Sequence, residues 1–187
     1  MLRIEWTPHE RKPQAAIDEL HADLHASIEI DGPTDFAALV CAAQLLETRY
    51  VMAHLRGFGD RERTLDYTDI VELFENLDAA LEALAAGRTG IIAFYPGSGA
   101  EYPVFECVAD EVRLFRVPWL DAERLDRSRP LPEDLKAAPS ATSGRAQLIG
   151  HLEELRGSFA RSAVAHDPRL AQYDPIRRWL AARGSDE

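Results

Sequence analysis

Apolar and polar residues alternate through Leu2-Arg3-Ile4-Glu5-Trp6, the pattern of a half-buried strand whose successive side chains face opposite ways. Pro13 can open a short helix, because its fixed φ and missing N–H suit a first helical position. Alternation returns over Leu24–Ile30, where His25, Ser27 and Glu29 separate Ala26, Ile28 and Ile30, and it stops at the turn signal Asp31-Gly32-Pro33. A second strand is expected there. Behind Thr34, a capping residue type, Phe36, Leu39, Ala43, Leu46, Tyr50 and Ala53 recur every three or four residues until Gly57 and Gly59. This predicts a long helix over about 34–56.

Residues 60–75 admit two readings. Ile70, Phe74, Leu77, Leu81 and Leu84 fit one continuous helix, whereas Ile70–Phe74 could be a buried strand, with Asn76 capping a shorter helix closed by Gly87. The second is preferred, since Asn is better placed at a cap than inside a helix. Ile91–Tyr95 is apolar enough for the middle of a sheet. Val104–Val108 and Val112–Val117 flank Ala109-Asp110-Glu111 and predict an antiparallel hairpin.

From 118 to 144 the pattern dissolves into prolines (Pro118, Pro130, Pro132 and Pro139) and charges. A long surface loop or linker is expected, with regular structure only around Asp121–Leu125 and Glu133–Lys136. Leu148, Leu152, Leu155 and Phe159 then mark an amphipathic helix. Asp174-Pro175 opens a last one with Ile176, Trp179 and Leu180 on its apolar face. The sum is an α+β fold: a mostly antiparallel sheet of four to six strands, with the long helix (about 34–56) and C-terminal helices packed on it. A core over 1–117, the Pro- and charge-rich segment 118–144 and helices within 145–187 make a single domain, as 187 residues allow.

Composition changes the picture through its charge. Hydrophobic residues make up 46% and charged residues 28%, ordinary for a soluble protein with a packed core, but 32 Asp and Glu against 21 Lys and Arg leave a net charge of −11. That sign opposes binding to nucleic-acid phosphates and to anionic membrane surfaces. No window approaches the ~20 apolar residues of a membrane span, and Met1–Trp6 does not resemble a secretory signal. A cytoplasmic location is therefore expected.

Candidate chemistry is sparse. Cys41 and Cys107 form neither a disulfide framework nor a zinc site, and lack the cationic neighbour that activates a thiolate; they read as small buried hydrophobes. His21 and His25 would share a face on a helix, and Asp23 would join them on a strand, a geometry able to hold a divalent metal. No His-Glu-x-x-His pattern and no spaced third ligand accompany them, so surface or interface histidines is the better reading. No metal or cofactor is expected. Pro96-Gly97-Ser98-Gly99 follows a strand but leads towards Glu101 and another strand, so it is neither a phosphate loop nor a nucleophile elbow. His151 with Glu153 and Glu154, and His166 with Asp167, are residue types able to exchange protons, but are commonplace on a polar helix face.

The feature of greatest weight is acidic. Asp66, Asp69, Glu72, Glu75, Asp78 and Glu82 fall between 66 and 86 without a single Lys or Arg. Charge of one sign gathered so closely repels itself, and commonly steers an oppositely charged partner; the plain alternative is a solvated helix face. Tyr95, Tyr102 and Trp119 are aromatics able to supply contact area beside it. The expectation is a non-enzymatic binding protein that engages a basic protein partner, for example a bacterial immunity protein or antitoxin neutralising a cationic toxin. The alternative is a hydrolase or metal-dependent enzyme whose site is assembled from dispersed His and carboxylate residues. Oligomeric state is open.

Overall fold

Helical spacing of Ile17, His21 and Leu24 carries the chain from Pro13 into helix α1 (Gln14–Asp31). The computed structural model describes residues 3–6, 12–31, 35–46, 53–56, 63–94, 101–127, 129–136 and 139–181. Leu24–Ile30 is thus helix rather than the expected strand. The buried stripe begun at Ile17 outweighs an alternation that rests on three short-range apolar positions. Helix α2 (Asp35–Leu46) buries Leu39, Ala42, Ala43 and Leu46. The helix expected over about 34–56 is present here, but its far end is instead strand β2 (Ala53–Arg56). There the chain satisfies the backbone of strand β1 (Arg3–Trp6) on one side and strand β3 (Arg63–Leu65) on the other, both antiparallel. Ile4 faces Leu55 across that ladder, and both are buried.

Helix α3 (Tyr67–Ala85) is continuous, so Ile70–Phe74 is not a strand and Asn76 is not a cap. Its N-terminus is closed by a capping box: Asp66 accepts the Asp69 N–H at 2.9 Å, and the Asp69 carboxylate accepts the Asp66 N–H. Asn76 uses its side-chain amide within the helix, donating to the Glu72 carbonyl at 2.9 Å and the Glu72 carboxylate at 3.1 Å. At the other end Gly87 takes φ +67°, with Arg88 N–H on the Ala83 carbonyl and Gly87 N–H on that of Leu84. This is a Schellman closure, and it confirms the stop at Gly87.

The second sheet has the order β4 (Gly90–Ile91), β5 (Glu101–Val108), β6 (Glu111–Pro118) and β7 (Ala141–Gly144), antiparallel throughout. The expected hairpin is β5–β6. Ile91 and its neighbours lie at the edge of this sheet rather than its middle, although Ile91, Ile92, Ala93 and Phe94 are all buried. The antiparallel strands are thus divided between two sheets, not gathered in one.

Both faces of the second sheet are covered. Phe105, Val112 and Leu114 join the main core with α1, α2, α3 and the C-terminal helices. Ile91, Tyr102, Val104, Phe115 and Val117 form a smaller cluster on the opposite face, closed by Ala122 of helix α4 (Trp119–Glu123) and by Leu131. The Pro-rich stretch therefore packs a sheet face, and its end supplies β7, where a loop was expected. Helix α5 (Arg145–His166) buries Leu148, Leu152, Leu155 and Phe159 as its periodicity predicts. Helix α6 (Ile176–Ala181) brings Trp179 beside Phe74 and Phe159, whose rings stack with centroids 4.0 Å apart.

Candidate functional site

Among the described residues, His21, Cys41, His151 and His166 each have a partner within the fold. His21 is buried in α1, with Nε2 2.8 Å from Asp167 Oδ2. Asp167 accepts Arg169 Nε at 2.9 Å, and Arg169 reaches Asp18 of α1 at 3.2 Å. Burial raises the Asp167 carboxyl. The side-chain and backbone hydrogen bonds of Arg169, with the charges of His21 and Arg169, outweigh it and hold the group below its ordinary range. The set clasps α1 to the 3₁₀ turn Pro168–Gln172. His25 lies on the backbone of α1, and its side chain is outside the described residues.

Cys41 donates its thiol to the Leu20 carbonyl at 3.9 Å. Burial, then the negative charge of Asp167, pushes its pKa up to about 12, so it remains a thiol at neutral pH. His151 accepts the Ile4 N–H on Nε2 at 3.0 Å, joining β1 to α5. His166 Nδ1 lies 2.8 Å from the Ser162 carbonyl, one turn back on its own helix. Among the described residues, no group of three or more His, Cys, Asp or Glu could hold a metal ion. The described helices include none long and apolar enough to cross a membrane. Pro96–Gly99 and Tyr95 lie outside the described residues.

The six acidic residues do not act as one patch. Asp66 and Asp69 form the capping box, and Asp69 is 1% exposed, so it offers no surface to a partner. Asp78 is already neutralised: Arg156 reaches it at 2.7 Å and Arg178 at 3.4 Å, and the Trp179 indole donates to it. Glu72, Glu75 and Glu82 remain along the outer side of α3. Among the described residues none of these three has an ion-pair partner. Burial raises the Glu72 pKa first, and the charges of Glu75 and of Glu123 on α4 raise it further, against the hydrogen bond from Asn76. Glu123 was not among the expected site residues, because only the fold brings α4 within electrostatic reach of α3.

The aromatics divide similarly. Tyr102 is 4% exposed within the smaller cluster and cannot anchor a partner; as a residue of β5 it is turned under α4 and Leu131. Trp119 is half-buried against that same cluster. A surface aromatic stands elsewhere. Phe36 is 49% exposed on α2, and with Val40 it lines a groove against Tyr67, Thr68, Val71 and Glu72 of α3. The groove encloses about 190 Å3. Its sequence signal was two apolar pairs at i, i+4 spacing, Phe36/Val40 and Tyr67/Val71, each indistinguishable from a core stripe until the helices are packed.

Compared with protein-family models, curated proteins and solved structures, the chain matches none.

Proposed function

We propose that this chain is a non-enzymatic binding protein that engages a basic protein partner, of which an immunity protein or antitoxin neutralising a cationic toxin is one concrete form. One observation carries the reading: Glu72 of α3 stands within electrostatic reach of both Glu75 on its own helix and Glu123 of α4, and no cation among the described residues is paired with any of the three. Like charges held together raise the free energy of the unbound protein. A cationic partner relieves that repulsion, and the net charge of −11 extends the attraction beyond the contact itself. The acidic surface is therefore narrower than the sequence suggests, centred on Glu72, Glu75 and Glu123, with Glu82 further along α3. A hydrolase or metal-dependent enzyme draws no comparable support, since His21 and Asp167 are closed in on each other and Cys41 is held protonated.

The test uses the tagged full chain as bait, with the Glu72→Gln/Glu75→Gln/Glu123→Gln variant beside it. A basic protein that is retained by the wild type, released by salt and lost with the variant is the expected result. A partner of neutral or acidic charge, held equally by both proteins, would overturn the reading.

A further inference from the structure

We propose that the groove between α2 and α3 seats an apolar anchor side chain from a basic amphipathic helix of the partner. The inference rests on the binding reading above and adds the form of what is bound. Phe36 and Val40 stand one turn apart on α2, and Tyr67 and Val71 one turn apart on α3, so the groove has an apolar wall on each side. Phe36 is half in water while it lines this groove, so its ring is open to a ligand there.

The groove's size and chemistry narrow the occupant. About 190 Å3 is below the roughly 300–1,000 Å3 of small-molecule pockets, and suits a single side chain. Its polar lining is Thr68 and Glu72, and the Thr68 hydroxyl is already given to Asp66, so little remains to orient a metabolite. Two helices form the walls and none of the lining residues belongs to a sheet, which matches recognition of a helix rather than addition of a strand. Glu72 lies on the rim, Glu75 one turn further along, and Glu123 approaches from α4. An anchor flanked by Lys or Arg fits this distribution. An anionic lipid surface is repelled by it, and so is the same acidic rim on a second copy of this chain.

The probe is a labelled helical peptide patterned with leucine and lysine, titrated with the full chain and read by fluorescence anisotropy. A matched peptide with its leucines replaced by serine is the comparison. The leucine peptide is expected to bind saturably, and Phe36→Ser to weaken it about tenfold. Val40→Thr, which keeps the side chain's shape, should weaken it in the same direction. Glu72→Gln/Glu75→Gln should weaken both peptides, while Phe36→Ser leaves the serine peptide unchanged. Circular dichroism of each variant checks that the fold is kept.

If both peptides bind equally, fall together with the Glu→Gln variant and ignore Phe36→Ser, the groove inference is overturned while the basic-partner reading stands. Undiminished binding of the leucine peptide to the Glu→Gln variant overturns the inference from the other side and removes the basic-partner reading with it. No binding at millimolar peptide overturns it too. So does binding to anionic vesicles, or self-association in sedimentation, that Phe36→Ser abolishes.

Discussion

Trp179 donates its indole N–H to the carboxylate of Asp78, 3.1 Å from Oδ2 and 3.2 Å from Oδ1, and so fastens the last helix to α3 across one hundred residues of chain. Arg156 of α5 reaches the same carboxylate at 2.7 Å, above the stacked rings of Phe74 and Phe159. Three helices therefore share one acceptor over one aromatic cluster. Asp78→Ala leaves a half-buried guanidinium and a buried indole N–H without their partner. It is expected to destabilise the fold by about 2 kcal/mol, with Asp78→Asn losing less because an acceptor oxygen remains. Urea titration of the three proteins checks the order. The same substitutions should leave capture of a basic partner intact, because Asp78 is neutralised from within.

Gly90 opposes Phe105 in the β4–β5 ladder, and a Cβ placed on it would lie 2.2 Å from the Phe105 ring. That ring is fully buried and has no open side to turn towards. Gly90→Ala is therefore expected to cost about 1–3 kcal/mol through overpacking. Phe105→Leu in the same chain should recover part of the loss, since it withdraws the ring atoms that clash. Thermal melts of the single and double variants give the comparison.

Burial lowers the His151 pKa from its ordinary 6.5, and the charge of Arg3 lowers it further against the opposing pull of Glu5. The ring also accepts the Ile4 N–H through Nε2, which a proton there would abolish. The unfolded chain therefore binds this proton more readily than the folded one. The contribution to stability is complete above about pH 6.5 and is lost as pH falls through the lowered value. His151→Gln offers an acceptor oxygen that does not titrate in this range, so its urea midpoint should fall less than that of the wild type between pH about 7.5 and about 5.5. An equal fall in both proteins would remove His151 from the account.

Cys41, with its thiol pushed up to about 12, should resist alkylation at neutral pH until the chain unfolds. Cys107, half-buried on β5, is also raised by burial, with Arg145 lowering it and Glu106 raising it. Peptide mapping after iodoacetamide treatment should find any native-state label on Cys107, and label on Cys41 only in denaturant.

Elements that carry their own instructions were legible from residue order. The alternation of β1, the β5–β6 pair around Ala109-Asp110, the stripe of Leu148, Leu152, Leu155 and Phe159, and the stop at Gly87 each depend on neighbours a few residues away. Local patterns misled where two local choices were close. Leu24–Ile30 alternates yet also continues a helical stripe from Ile17, and Asn76 looks like a cap yet lies ten residues inside a helix that Asp66 and Asp69 had already closed.

The abundance and sign of charge, the α+β class and the amphipathic helices are properties of composition and short-range spacing, and the sequence alone determined them. Whether a carboxylate is free or spent, and whether an aromatic is core or surface, depends on which distant segment lies against it. Asp78 meets arginines 78 and 100 residues away, Tyr102 is covered by α4 and Leu131, and Phe36 is left half in water beside α3. Only the tertiary structure decided these, because desolvation and Coulomb attraction act through space and take no account of separation along the chain.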